Sequence, residues 1–236
     1  MRKLGFISAF MLFFFIANVT GFADSNKPDF QVLLSGSLGF AYNKNLIDMT
    51  SDDADYFAPS LAWEEETVIP LWAVLPMGFD LGFRYFPGSN IGLGLEIGSH
   101  TLTVESKMTC EFPDKATVTA ELTVRPIVGN IYYRFDSDSS NSFVLIGGGV
   151  GYYFGEFKYD IKPNMVPSES YSGKQSKIGF QLLLEYDYVF DIGLTLFGGA
   201  KYRYVEFDDF NGDFKGSGIK AKLTGVALYI GGGYSF

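Results

Sequence analysis

The chain has 236 residues, with 18 Lys and Arg against 27 Asp and Glu, a formal charge of −9 and a pI near 4.6. A surface this acidic excludes nucleic acid as a partner, because phosphate neutralisation needs clustered cations. Hydrophobic residues make up 47% and aromatics 17%, yet beyond residue 19 no apolar run is long enough for a membrane helix, which needs about 20 residues.

Arg2 and Lys3 precede an apolar run from Leu4 to Val19, followed by Thr20-Gly21-Phe22-Ala23 and the polar stretch Asp24–Pro28. A basic start, a short apolar core and small residues before a polar break predict an export signal, residues 1–23, cleaved near Ala23. Residues 24–236 are then one domain. Loss of Arg2 and Lys3 takes the formal charge from −9 to −11. No cysteine follows the small residues, so a lipid anchor is not expected. Cys110 is the single cysteine, which rules out an internal disulfide; a free thiol in a hairpin loop is expected.

From Phe30 the pattern has a period of two. Phe30, Val32, Leu34, Leu38, Phe40 and Tyr42 share one face and Gln31, Ser35, Ser37, Gly39 and Ala41 the other, with Leu33 the exception. This predicts a strand over 30–42. The stretch 43–67 carries Asp48, Asp52, Asp53, Asp55, Glu64, Glu65 and Glu66; the spacing is not that of a calcium loop, and a solvated loop is expected. A second strand covers 68–86, with Leu71, Ala73, Leu75, Met77, Phe79, Leu81, Phe83 and Tyr85 outward and Asp80 and Arg84 inward. Pro76 lacks a ladder donor and predicts a bulge or an end above the lipid zone, and residues 87–90 read as a tight turn.

The third strand points Ile91, Leu93, Leu95 and Ile97 outward and Gly92, Gly94, Glu96 and Gly98 inward, then turns polar through His100, Thr101, Thr103 and Glu105 toward a hairpin near 107–115. The fourth returns over 118–135 with Ile127, Ile131, Tyr133 and Phe135 outward and Asn130 and Arg134 inward; Pro126 sits where the apolar parity changes, which predicts a bulge. Residues 136–142 form a short polar turn. The fifth strand, 143–157, contains Gly147-Gly148-Gly149-Val150-Gly151, and its facing is not set by the pattern. Residues 158–175 read as a loop. The sixth strand alternates Ile178, Phe180, Leu182, Leu184, Tyr186, Tyr188 and Phe190 outward with Lys177, Gly179, Gln181, Glu185 and Asp187 inward. The seventh has Leu194, Leu196, Ala200, Tyr202 and Tyr204 outward and Thr195, Lys201 and Arg203 inward. After a polar loop, 208–218, the eighth runs to Phe236 with Val226, Leu228, Ile230, Tyr234 and Phe236 on one parity.

Eight strands with alternating long and short connections predict a closed antiparallel transmembrane barrel, all-β and up-and-down, with short turns on the periplasmic side and long loops outside. A soluble eight-stranded barrel would keep its apolar side chains inside. Trp72, Tyr85, Tyr133, Tyr186, Tyr188, Tyr202, Tyr204 and Tyr234 are placed to form interface girdles. The inward set Asp80, Arg84, Glu96, Arg134, Glu185, Asp187, Lys201 and Arg203 has two readings. One is an ion-pair network that plugs a lumen just wide enough for side chains; the other is a narrow polar pore. His100, the single histidine, has Ser99 beside it on the opposite face, which does not make a nucleophile and base pair. The glycine cluster fails the spacing of a phosphate loop and precedes no helix. No catalytic residue, metal site or cofactor is expected.

Export signal, strand count, loop alternation and the terminal aromatic strand with Tyr234 and Phe236 resemble the small eight-stranded bacterial outer-membrane proteins of the OmpA, OmpX and OmpW types. The resemblance implies an outer-membrane location among lipid and lipopolysaccharide. It also implies that the barrel-assembly machinery reads Tyr234 and Phe236. Its functional implication is a non-enzymatic barrel whose loops serve envelope structure, adhesion or contact with a host or surface ligand. The other role it implies is a narrow channel for small or hydrophobic solutes.

Overall fold

A computed structural model describes residues 30–41, 63–65, 77–87, 90–110, 115–136, 141–163, 168–208, 210–216 and 220–236. The strands are β1 (Phe30–Ala41), β2 (Trp63–Glu65), β3 (Met77–Tyr85), β4 (Ile91–Cys110), β5 (Lys115–Asp136), β6 (Ser142–Pro163), β7 (Glu169–Val189), β8 (Leu194–Phe207) and β9 (Ala221–Ser235). Eight of them close a ring in the order β1-β3-β4-β5-β6-β7-β8-β9, each antiparallel to its neighbours, and β1 returns to β9 with Gln31 opposite Ser235. β2 stands outside the ring on the end of β4, with Trp63 opposite Cys110. Part of the stretch expected to be a loop, 43–67, is therefore a short strand, and Cys110 ends a strand instead of lying in a hairpin loop. The expected strand start over 68–76, with Pro76 and Trp72, lies outside the described residues.

Alternation decides which way the ring faces. β7 shows it most regularly, with inward positions buried and outward ones exposed along its membrane half. Outward residues are large and apolar on each of the eight ring strands: Ile178 is 66% exposed, Val150 63% and Ile230 75%. A belt of this extent is far larger than the apolar patches that water tolerates on a protein surface, and it matches what a barrel presents to lipid. At the short-turn end, β5, β7 and β9 each finish on an edge-to-face aromatic pair: Tyr133–Phe135 at 4.6 Å, Tyr188–Phe190 at 4.9 Å and Tyr234–Phe236 at 4.9 Å. These are the girdle positions of the membrane interface.

Above the belt the wall changes its chemistry and keeps its parity. On β5 the inward residues Ala120, Leu122 and Val124 are fully buried, while Arg125 points out. The register of β5 with β6 runs unbroken through Arg125↔Phe154, Pro126↔Tyr153 and Ile127↔Tyr152. With β4, Ile97↔Ile127 and His100↔Val124 keep one offset. There is no bulge at Pro126. The apparent change of parity was a change in which face is apolar: outward in lipid, inward above it.

The same inversion explains why 158–175 is not a loop. β6 continues to Pro163 and β7 begins at Glu169, paired through Tyr159↔Tyr171. Outward Glu156 and Lys158 alternate with inward Phe157 and Tyr159, which is strand patterning with a wet outer face. The facing of β6 is likewise settled. Gly147 and Gly155 point inward and leave room for neighbouring side chains: a Cβ on Gly147 would stand 2.7 Å from Tyr132, and one on Gly155 2.7 Å from Phe207.

The inside above the belt is filled by an apolar cluster that includes Leu102, Leu122, Val124, Tyr153, Phe157, Val205, Phe207 and Leu223. Phe210 and Phe214 close it from the segment after β8, a stretch expected to be only a polar loop. That segment holds a 3₁₀ turn, Gly212–Phe214. It docks on the edge of β7 through Asn211 N–H to the Lys174 carbonyl (3.0 Å) and Ser172 N–H to Asp213 (2.8 Å). A sheet edge that lacks a partner strand is thereby covered. At the opposite end Phe86, Tyr132, Phe143, Leu145 and Leu183 form an aromatic layer.

Two glycines test this packing. A Cβ on Gly151 would meet the Ile127 carbonyl and stand 2.6 Å from Val128 Cα, whereas one on Gly36 meets nothing within 4 Å. Gly151→Ala is expected to destabilise the barrel by about 1–3 kcal/mol. Gly36→Ala is expected to stay within about 0.5 kcal/mol of the parent, both measured by urea unfolding in lipid.

Candidate functional site

The middle of the lumen is polar because period-two spacing sends alternate residues of each strand inward. β3 contributes Asp80 and Arg84, β4 Glu96 and His100, β7 Gln181, Glu185 and Asp187, and β8 Lys201 and Arg203, all buried. In the upper cluster Lys201 Nζ lies 3.1 Å from Asp80 and 2.7 Å from Glu96. Arg203 donates to Asp80 (2.8 Å), to Glu96 (2.9 Å) and, through Nε, to Gln181 (3.1 Å). Gln181 donates onward to Glu96 (3.3 Å) and Asn130 (3.0 Å).

In the lower cluster Arg84 faces both oxygens of Glu185, at 2.5 and 2.9 Å, and reaches Asp187 at 3.3 Å. Its guanidinium lies over Tyr132 (4.9 Å) and Phe197 (5.7 Å). Arg134 lies in the aromatic layer, over Phe86 (4.7 Å) and Phe143 (5.6 Å). Four buried acids, Asp80, Glu96, Glu185 and Asp187, share the lumen with four buried cations, Arg84, Arg134, Lys201 and Arg203. Buried ions need such partners.

Alternation puts Gln181 and Asn130 inward without marking them as members of the network, and His100 is absent from the predicted inward set. His100 Nε2 is 2.8 Å from Asp80 Oδ1, and Arg203 Nη1 is 3.2 Å from Nδ1. A guanidinium only donates, so Nδ1 accepts and Nε2 carries the proton. The available signal was parity, since His100 lies four residues from Glu96. Ser37 Oγ is 3.5 Å from the same Nδ1, so serine, histidine and aspartate stand in a line. Arg203 already occupies the nitrogen that would take the serine proton, which removes the base a nucleophile needs.

Between the two clusters remains a cavity of about 10 Å³ lined by Asp80, Arg84, Glu96, Tyr132, Glu185 and Lys201 among others, room for about one water. At the seam, Phe236 N–H donates to the Phe30 carbonyl (2.8 Å) and the two rings are 5.9 Å apart, so Tyr234 and Phe236 sit where the last strand meets the first. Among the described residues no group of His, Cys, Asp or Glu has the arrangement of a metal site.

Closure, a lipid-facing belt and a filled polar interior define a small eight-stranded membrane barrel of the outer-membrane type. No family model matches the chain, and no curated protein matches it. Among solved structures it is similar to Neisserial surface protein A, at 11% identity over 88% of this chain and 97% of that one, TM-score 0.41. It is also similar to Ail, the attachment invasion locus protein of Yersinia pestis, at 14% identity over 89% and 100%, TM-score 0.43. A third is the outer membrane protease OmpT from Escherichia coli, at 7% identity over 92% and 99%, TM-score 0.40.

Arg203→Met would leave Asp80 and Glu96 with Lys201 alone for charge compensation. A loss of about 3–5 kcal/mol is expected in urea unfolding, and Arg203→Met combined with Glu96→Gln should cost less than the sum of the two. A second expectation concerns the docked segment. Asp208 accepts from Lys177 (2.7 Å) and Gln175 (3.2 Å), and the Lys177 contact holds its carboxyl below the usual value. A depressed carboxyl contributes stability above its unfolded value and loses it as the pH falls through the folded value. Amide exchange at Asn211, corrected for intrinsic rate, should therefore rise relative to the barrel below about pH 4.

Proposed function

We propose that this is a non-enzymatic, non-conducting barrel of the bacterial outer membrane, held among lipid and lipopolysaccharide, whose loop end meets the outside for envelope structure, adhesion or surface contact. The observation that carries the reading is the filled interior. Among the described residues an aromatic layer, an ion-pair network and a packed apolar cluster follow one another along the axis, and the gap beside the network is about 10 Å³. A hydrated ion needs a continuous wet path, and wide lumens belong to barrels with more strands.

The export signal over 1–23 and the reading of Tyr234 and Phe236 by an assembly machinery belong to the same proposal. The seam contact of Phe236 with Phe30 supports the second, because a strand recognised at its end would then be the one that closes the ring. The lumen residues hold the barrel and do not process a solute.

The test is single-channel recording of the refolded protein in a planar bilayer. The parent and Lys201→Ala are expected to insert, migrate as heat-modifiable barrels and give no discrete steps. Steps in the parent that Lys201→Ala alters would place an ion path through the network and overturn the reading.

A further inference from the structure

Where the wall passes from lipid to water, the register of β5, β6 and β7 sets their outward residues in rows. Ile127, Tyr152 and Ile178 make the last wholly apolar row, and all three are exposed. The next row is Arg125, Phe154 and Ser176, followed by Thr123, Glu156 and Lys174 and then by Glu121, Lys158 and Ser172. Arg125, Lys174 and Lys158 thus stand two, four and six residues beyond the apolar row on their own strands. With a rise of about 3.3 Å per residue and a tilt of about 40°, Arg125 and Lys174 lie about 5 and 10 Å above that row along the barrel axis. Lipid headgroups occupy that level.

Three cations converge there on one acid. Arg125 Nη1, Lys158 Nζ and Lys174 Nζ stand 3.4, 3.7 and 4.0 Å from the Glu156 carboxylate. All three are open to the outside, Lys174 at 74%, while Glu156 is 17% exposed. Elsewhere on the rim one cation meets one acid at shorter range: Lys177 with Asp208 at 2.7 Å and Lys222 with Glu206 at 3.1 Å. Two more acids face outward further up. Glu121 accepts from Thr123 (3.3 Å) and Asp160 from Ser170 (2.5 Å). Nearest the lipid, a single carboxylate cannot offset three cations. The Lys174 carbonyl also accepts from Asn211 N–H, so the segment after β8 holds the backbone of that row.

We propose that Arg125, Lys158 and Lys174 bind the phosphate of a phosphorylated glycolipid in the outer leaflet. Guanidinium and ammonium groups donate charge-assisted hydrogen bonds to phosphate oxygens. The acyl chains of the same molecule lie along Ile127, Tyr152 and Ile178, directly below. A free anion gains nothing from that apolar row, so the occupant is the lipid. This rests on the part of the proposed function that puts the barrel among lipid and lipopolysaccharide, and it adds the place and the groups that hold one such molecule.

The experiment is native mass spectrometry of the folded barrel in neutral detergent micelles, titrated with diphosphoryl lipid A. Phosphatidylcholine and inorganic phosphate are added in separate arms. The parent is expected to retain lipid A in preference to phosphatidylcholine, and inorganic phosphate should not displace it. Arg125→Gln and Lys174→Gln should each weaken retention by about fivefold. Glu156→Gln removes the competing carboxylate and should tighten it. Lys222→Gln, at a paired site on the same rim, should leave it unchanged. Heat-modifiable migration checks that each variant is folded. Equal retention of lipid A and phosphatidylcholine would reduce the contact to acyl chains and overturn the proposal. Displacement by inorganic phosphate, or an equal loss in Lys222→Gln, would overturn it too. Conductance separates the two readings. A silent barrel that does not retain lipid A overturns this proposal alone, and a conducting barrel that retains it overturns only the non-conducting reading.

Discussion

Every backbone group in the lipid zone must find its partner within the protein, and a sheet satisfies that only by closing on itself. Closure of eight strands fixes the rest. It sets a lumen about as wide as side chains are long, and it makes each strand's alternation a choice between lipid and interior. The seam carries the heaviest constraint, because β1 and β9 come from opposite ends of the chain and register there must match over Gln31↔Ser235 to Ala41↔Gly225. Once it does, inward residues from β3, β4, β7 and β8 are brought within hydrogen-bond distance of one another.

The lumen solves its packing in three chemistries along one axis. Charges occupy the middle, where they can meet cross-lumen partners such as Arg203 with Asp80 and Lys201 with Glu96. Each charge is expensive to bury alone and tolerable as part of a balanced set. Aromatic side chains fill the short-turn end and give Arg84 and Arg134 flat faces to lie against. Above the membrane belt, water replaces lipid as the outer solvent. The wall there behaves as any soluble sheet does, with apolar residues in and Glu156, Lys158 and Arg125 out.

That change of solvent marks the limit of what the sequence made legible. Within the belt, strand number could be read directly and so could facing on the ring strands other than β6, because large outward residues such as Ile178, Leu182 and Leu184 alternate with polar ones. Above it the same alternation continued with its meaning reversed. Leu122 and Val124 then looked like a parity change at Pro126, and 158–163 and 169–175 looked like loop. His100 was legible by parity with Glu96 but was read with the polar strand extension to which it is joined. Phe210 and Phe214, four residues apart in an otherwise polar stretch, were the sign that the segment after β8 packs inward. Local composition hid that sign, since only the tertiary arrangement shows the apolar cluster they pack into.

The inversion of the wall, apolar outward in lipid and apolar inward above it, is tested most directly by a scan of β5. Single spin labels would be placed, on a Cys110→Ser background, at the outward positions of Glu121, Thr123, Arg125, Ile127, Ile131, Tyr133 and Phe135 in lipid. Labels at 127, 131 and 133 should relax with oxygen and be shielded from a polar nickel reagent; labels at 121, 123 and 125 should show the reverse. A single accessibility profile across Pro126, with no crossover between the two reagents, would contradict the account.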